Sequence, residues 1–206
     1  MKKSLLLVFF CLAALSSFAQ KTPLEKYYII PELYEDLYNR YTNNFVVRRL
    51  PSSRGYYFGQ ISDDNQLEGY ASYEGLEGGT IIGQYYRGAL LFGITMTREV
   101  INVGTKDYYA SYSSTTGELL GVNKDGVFRR ATPEEAKEYM YAQMTYANGD
   151  KYVGEIWKGK RHGYGVYYFQ NGGFWYGPFH DNNQTGYGAL FTNQGKMRVG
   201  KWDGIR

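Results

Sequence analysis

The chain has 206 residues, enough for one domain with a buried core or for an array of several repeat units. Its 26 Gly and 23 Tyr against 5 Pro suit tight turns and pleated strands, and so many aromatics exclude a disordered tail. A single cysteine, Cys11, excludes a disulfide framework, and 23 basic against 20 acidic residues exclude any global electrostatic attraction to nucleic acid or anionic membrane.

Residues 1–19 read as a signal peptide. Lys2 and Lys3 form a basic start, the run from Leu5 to Leu15 is apolar, and Ser17-Phe18-Ala19 is a small-x-small cleavage signal. The apolar run is shorter than the roughly 20 residues a membrane-spanning helix needs. Cleavage before Gln20 is expected, placing the chain in the periplasm, at the cell envelope or outside the cell; an uncleaved anchor is the rival reading. Cleavage would also remove Cys11, Lys2 and Lys3, leaving a net charge near zero and no thiol for catalysis or metal binding.

Residues 20–50 predict a helical N-terminal segment followed by a first strand. Thr22, Pro23 and Glu25 make a helix start, Leu33, Tyr34, Leu37, Tyr38 and Tyr41 recur at helical spacing, and Pro31 divides the segment into two short helices. From Asn44 to Leu50 the pattern is a strand, closed by a turn over Pro51-Ser52-Ser53-Arg54-Gly55.

Residues 51–131 predict a β-meander of degenerate repeats. Gly59 and Gly69 are followed by Gly83 and Gly93 at a shift of 24, then by Ser111 and Gly121 in the same ten-residue spacing. An ordinary meander with glycine turns explains the same spacing. Residues 132–145 then predict a connecting helix, with Thr132 as N-cap, Pro133 in the first position, Glu135 closing a capping box, and Ala136, Met140 and Met144 along one face. This helix is expected to cover part of the sheet and to make the array one domain.

Residues 146–206 carry the clearest signal. At a shift of 23, Gly149, Gly172 and Gly195 superpose, as do Gly154, Gly177 and Gly200, Gly163 and Gly186, and Gly165 and Gly188. Aromatics keep the register, Tyr152 falling on Trp175, Tyr164 on Tyr187 and Tyr168 on Phe191. Each unit divides into two strands with turns at Lys158-Gly159-Lys160-Arg161-His162 and Asn171-Gly172-Gly173, and Asn182 takes the place of Gly159 because asparagine tolerates positive φ. Bare glycines at 163 and 165 call for bulky neighbours packed over them.

The run Tyr152-Val-Gly154-Glu-Ile-Trp157-Lys-Gly159-Lys-Arg-His-Gly163-Tyr-Gly165 through Gly172 closely resembles the MORN (membrane occupation and recognition nexus) repeat, with a second copy from Trp175 to Gly195 and a third begun at Arg198-Val-Gly200-Lys-Trp202. Trp202 stands one place short of the column set by Trp157, and the upstream modules lack the Gly-x-Gly pair. The resemblance implies a mainly β fold: an elongated antiparallel meander of β-hairpins, here with short N-terminal helices and one inserted helix. It also implies a scaffold for protein interaction and dimerisation, associated with phospholipid membranes.

Alternation puts Gly163, Gly165, Tyr167 and Phe169 on one face and Tyr164, Val166 and Tyr168 on the other, so neither face is polar. Such a sheet is covered twice, curls on itself, or leaves aromatics exposed for a partner. Candidate binding residues are therefore Tyr164, Tyr167, Trp175, Tyr187 and Trp202, for peptide or glycan, with Lys158, Lys160 and Arg161 as a basic turn for anionic lipid.

No catalytic, cofactor or metal residues are assigned. His162 and His180 read as lone turn histidines, Asp63-Asp64 and Glu134-Glu135 as a turn and a helix N-terminus, and the Ser111 to Thr116 hydroxyls lack a base. The expectation is a non-catalytic scaffold with a protein partner or a second copy of itself, meeting it at the final strand, around Met197 to Trp202. A lipid or envelope-glycan binder is the alternative.

Overall fold

The computed structural model describes residues 46–194 and 196–204; the expected signal peptide and the helices expected between Thr22 and Tyr41 lie outside the described residues. A first meander consists of β1 (Val46–Ser52), β2 (Gly55–Ile61), β3 (Leu67–Gly75), β4 (Thr80–Tyr86), β5 (Ala89–Met96), β6 (Val100–Gly104), β7 (Tyr108–Ser113), β8 (Leu119–Lys124) and β9 (Val127–Arg130). After a helix, α1 (Pro133–Glu138), a second meander follows: β10 (Tyr139–Thr145), β11 (Lys151–Trp157), β12 (Lys160–Tyr168), β13 (Phe174–His180), β14 (Asn183–Phe191) and β15 (Met197–Asp203). Within each meander every strand pairs antiparallel with its chain neighbours, giving one sheet of nine strands and one of six.

Turn chemistry sets these registers. Arg87-Gly88, Asp125-Gly126, Lys158-Gly159 and Asp181-Asn182 each place two successive residues at positive φ, the geometry whose twist matches antiparallel strands in a two-residue hairpin. β1 runs on through Pro51 and Ser52, so the first turn is shorter than the sequence suggests.

The meander does not continue as one elongated ribbon. Tyr70, Ile82, Phe92, Ile94, Val103 and Tyr112 of the first sheet share one buried core with Tyr139, Tyr141, Tyr164, Val166, Tyr176 and Phe191 of the second. Ring contacts give the order of the layers: Phe58 meets Phe191, Tyr70 meets Tyr176, Phe92 meets Tyr164, and Tyr112 meets Tyr141. The chain thus runs along one layer and returns along the other, a two-layer sandwich with its fold-back at α1. The outer faces hold smaller clusters, Ile61, Leu67, Ala71 and Tyr85 on the first sheet and Tyr152, Ile156, Tyr167, Trp175 and Phe179 on the second. Burying each large aromatic contributes on the order of 2–3 kcal/mol.

The helix expected over 132–145 is corrected to one of six residues. Thr132 accepts from the Glu135 backbone N–H, and the Glu135 carboxylate accepts from the Thr132 N–H, so the capping box is formed. Beyond Glu138, however, the chain is strand β10. A spacing of four suits either a helix or one face of a strand, and Tyr139 and Tyr141 settle the choice by entering the inter-sheet core at period two. None of α1 is buried, so it joins the layers without covering either.

A row of glycines crosses the second sheet. Gly154 pairs with Gly165, Gly165 with Gly177, and Gly188 with Gly200. The Tyr152 ring lies over Gly154 and Gly165, the Trp175 ring over Gly177 and Gly188, and a Cβ at Gly188 would sit 2.7 Å from Trp175 Cζ2. Each unit thus lays one aromatic across a bare glycine pair. In the third unit that column holds Arg198, and Trp202 supplies the cover instead, its ring 3.4 Å from where a Gly200 Cβ would stand.

Candidate functional site

Glu155 is 2 % exposed; its Oε2 accepts from the Tyr164 N–H at 2.8 Å and its Oε1 from the Tyr112 hydroxyl at 2.6 Å. Upstream, Gln60 Oε1 accepts from the Tyr70 N–H at 2.8 Å in the same arrangement, with Gly69 at positive φ as Gly163 is. These side chains serve the backbone at the one point in each module where the ladder is interrupted.

The basic turn is not a free cluster. Lys158 Nζ lies 3.3 Å from Glu138 Oε1 and 4.6 Å from the centroid of the Trp157 ring, and Lys160 Nζ lies 3.2 Å from Asp181 Oδ1. Asp181 is held below its usual range by that hydrogen bond from Lys160. Arg161 turns onto the outer face, its guanidinium carbon 5.1–5.9 Å from the ring centroids of Tyr146, Tyr152, Tyr167 and Phe179. Its backbone N–H donates to Asn182 Oδ1 and its Nη2 to the Asn182 carbonyl.

The aromatic candidates divide by face. Tyr164 lies in the inter-sheet core at 6 % exposure, Trp175 is buried in the outer cluster at 1 %, and Tyr187 is half-buried against the inner core. These three are packing residues. Tyr167 is buried with its hydroxyl donating to Asp150 Oδ2 at 2.8 Å, while Trp202 is half-buried beside Trp175, with centroids 5.8 Å apart.

Tyr167, Arg161 and Trp202 line an open recess of about 590 Å³ on the outer face of the second sheet. The structure brings Asp150, Asn182 and Gln184 to the same recess, residues for which the sequence carried no functional signal beyond an amide-rich turn where the neighbouring unit has a basic one. Lys158 and Lys160 do not reach it.

Two other expectations resolve differently. His162 and His180 are not lone turn residues: they sit side by side on β12 and β13 with ring centroids 4.7 Å apart, and His162 is 2 % exposed. Among the described residues no set of three or more His, Asp or Glu is arranged to hold a metal ion. The hydroxyls of Ser113 to Thr116 line a recess of about 370 Å³ together with Met96, Met140 and Gln143, and no imidazole or carboxylate is among its lining residues. The Ser113 hydroxyl there accepts from the N–H groups of Thr115 and Thr116, which is turn chemistry.

Among the described residues no helix is long and apolar enough to cross a membrane. The four sheet edges differ. β9 has four residues, β1 contains Pro51, and β10 is bridged to the first sheet, where the Tyr141 N–H donates to the Gly117 carbonyl at 2.8 Å. β15 has seven residues without proline and, among the described residues, forms its ladder with β14 alone.

No protein-family model matches the chain, and no curated protein does. Among solved structures, a selenomethionine-substituted virginiamycin B lyase from Staphylococcus aureus is similar at 12 % identity and a TM-score of 0.14, over 79 % of this chain and 58 % of that one. A streptogramin B lyase is similar at 12 % identity and a TM-score of 0.14, over 79 % of this chain and 60 % of that one. The chain therefore spans less than two thirds of either, and likeness at this level bears on neither fold nor activity.

Proposed function

We propose that this chain is an exported, non-catalytic repeat protein of MORN type that serves as an interaction scaffold and associates with a second copy of itself through β15. The observation that carries this is the contrast between edges: β15 alone combines full strand length, no proline and no bridging contact on its outer side among the described residues. Antiparallel pairing of two such strands centred on Gly200 sets Arg198 against Trp202 and Val199 against Lys201, with no like charges directly opposite. A net charge near zero after signal cleavage removes long-range repulsion between copies. The basic residues on the edge guard against indiscriminate strand addition. Light scattering across a concentration series tests the proposal.

The alternative is a peripheral binder of an anionic membrane through the basic turn. Pairing of Lys158 with Glu138 and of Lys160 with Asp181 weighs against it. Sedimentation with anionic vesicles separates the two readings: binding that disappears in a Lys158→Ala, Lys160→Ala, Arg161→Ala variant would favour the membrane.

A further inference from the structure

We infer that the recess on the outer face of the second sheet is a binding site for a neutral oligosaccharide, distinct from the β15 edge contact. Its volume of about 590 Å³ falls within the roughly 300–1,000 Å³ of small-ligand sites. What it accepts follows from its lining.

The carboxylate in the lining is already committed. Asp150 Oδ1 accepts from the Gln170 N–H, and its Oδ2 accepts from both the Tyr167 hydroxyl and the Asn148 amide. Arg161 donates to the Asn182 carbonyl and is enclosed by four rings. The two charges also cancel. Arg161 keeps N–H groups beyond the one given to the Asn182 carbonyl, including a buried Nε with no partner among the described residues. The Asp150 carboxylate in the same lining offsets its charge, and a cation would have to displace donors from Asp150, so neither charge sign is favoured in a ligand.

What remains is uncharged hydrogen-bonding capacity beside π-faces. The Gln184 amide lines the recess with no partner of its own among the described residues, and the half-buried Trp202 ring lines the same recess. An apolar ligand would desolvate the amides without replacing their hydrogen bonds, at a cost of about 1–3 kcal/mol each. A peptide bound by strand addition needs a strand edge for its backbone, and the floor here is made of side chains. A sugar ring offers what fits: a C–H face to lie on an indole and a rim of hydroxyls that both donate and accept.

The test is titration of the mature full-length chain with maltotriose, cellotriose and chitotriose, followed by calorimetry and tryptophan fluorescence. At least one of them should bind saturably with a Kd on the order of 1 mM. Gln184→Ala and Trp202→Leu should each raise that Kd roughly tenfold with near-ultraviolet dichroism unchanged; if Trp202→Leu does not fold, Gln184→Ala alone decides. Failure of all three sugars to bind, affinity unmoved by the variants, or binding of inorganic phosphate in place of any sugar would overturn the inference. A Val199→Lys chain that is monomeric yet binds the sugar as wild type does would keep this site separate from the edge contact.

Discussion

The Tyr112 hydroxyl and Glu155 Oε1 meet at 2.6 Å across the sandwich, tying a strand of the first sheet to a strand of the second at a point where both side chains are buried. Because Glu155 also accepts from the Tyr164 N–H, one carboxylate joins the layers and completes the ladder of its own hairpin. Replacing it with alanine strands two buried donors. Glu155→Ala is expected to cost about 3 kcal/mol in urea unfolding, and Glu155→Gln about half of that, since Gln60 serves Tyr70 in the same geometry. Equal costs for the two variants would contradict this role.

Trp175 and Gly188 form a second coupled pair, since a Cβ at 188 would collide with the indole as well as with the Tyr176 carbonyl oxygen, each 2.7 Å away. Gly188→Ala should destabilise by about 1–3 kcal/mol. In a Trp175→Leu background, where the ring is gone but the contact with the Tyr176 carbonyl remains, the same change should cost about 0.5–1 kcal/mol less. Additive effects would show that the glycine is required for some other reason.

Much of this geometry is legible in the sequence. The 23-residue spacing predicts the hairpins, the positive-φ turn at Asn182, and aromatic cover over strand glycines, all of which are found. The fold-back is not legible, because a glycine-aromatic pattern that is apolar on both faces is equally served by a ribbon that curls or by two layers; only long-range contacts such as Phe92 with Tyr164 distinguish them. The strand at Tyr139–Thr145 was hidden by the shared multiple of helical and strand periods. At the site, Tyr167 could be named from strand alternation and Trp202 from the third repeat, whereas Asp150 comes from the turn before β11 and Gln184 from the start of β14, positions that no repeat spacing brings together.

Alkaline titration should expose the tyrosine core. Burial raises the hydroxyls of Tyr112, Tyr152, Tyr176, Tyr141 and Tyr85 above their ordinary value, with Glu155 adding at Tyr112, Tyr152 and Tyr141. Their folded-state affinity for the proton exceeds the unfolded one, so stability is complete below about pH 10 and falls as pH rises beyond it, by about 1.4 kcal/mol per unit for each tyrosine. Absorbance of tyrosinate at alkaline pH should therefore show these residues ionising together with loss of near-ultraviolet dichroism. Their ionisation in a protein that stays folded would contradict the burial.

For Asp181 the sign is opposite. Its folded-state value is lowered by Lys160, so its contribution is present above the ordinary carboxylate range and is lost as pH falls through the lowered value. The pair is exposed, and Lys160→Ala should change stability by less than about 1 kcal/mol. Carbon-detected NMR titration should nonetheless show the Asp181 carboxyl moving upward in that variant. An unmoved carboxyl would mean that the ion pair does not form in solution.

The central claim, association through β15, is tested most directly by light scattering on the mature chain over a wide concentration range, paired with backbone hydrogen exchange. Wild type should pass from monomer to dimer as concentration rises, with added amide protection confined to Met197–Asp203, and Val199→Lys, which sets like charges opposite each other at Lys201, should stay monomeric while keeping its fold. A wild-type chain that remains monomeric at the highest concentration, or a dimer in which β15 gains no protection, would contradict the account.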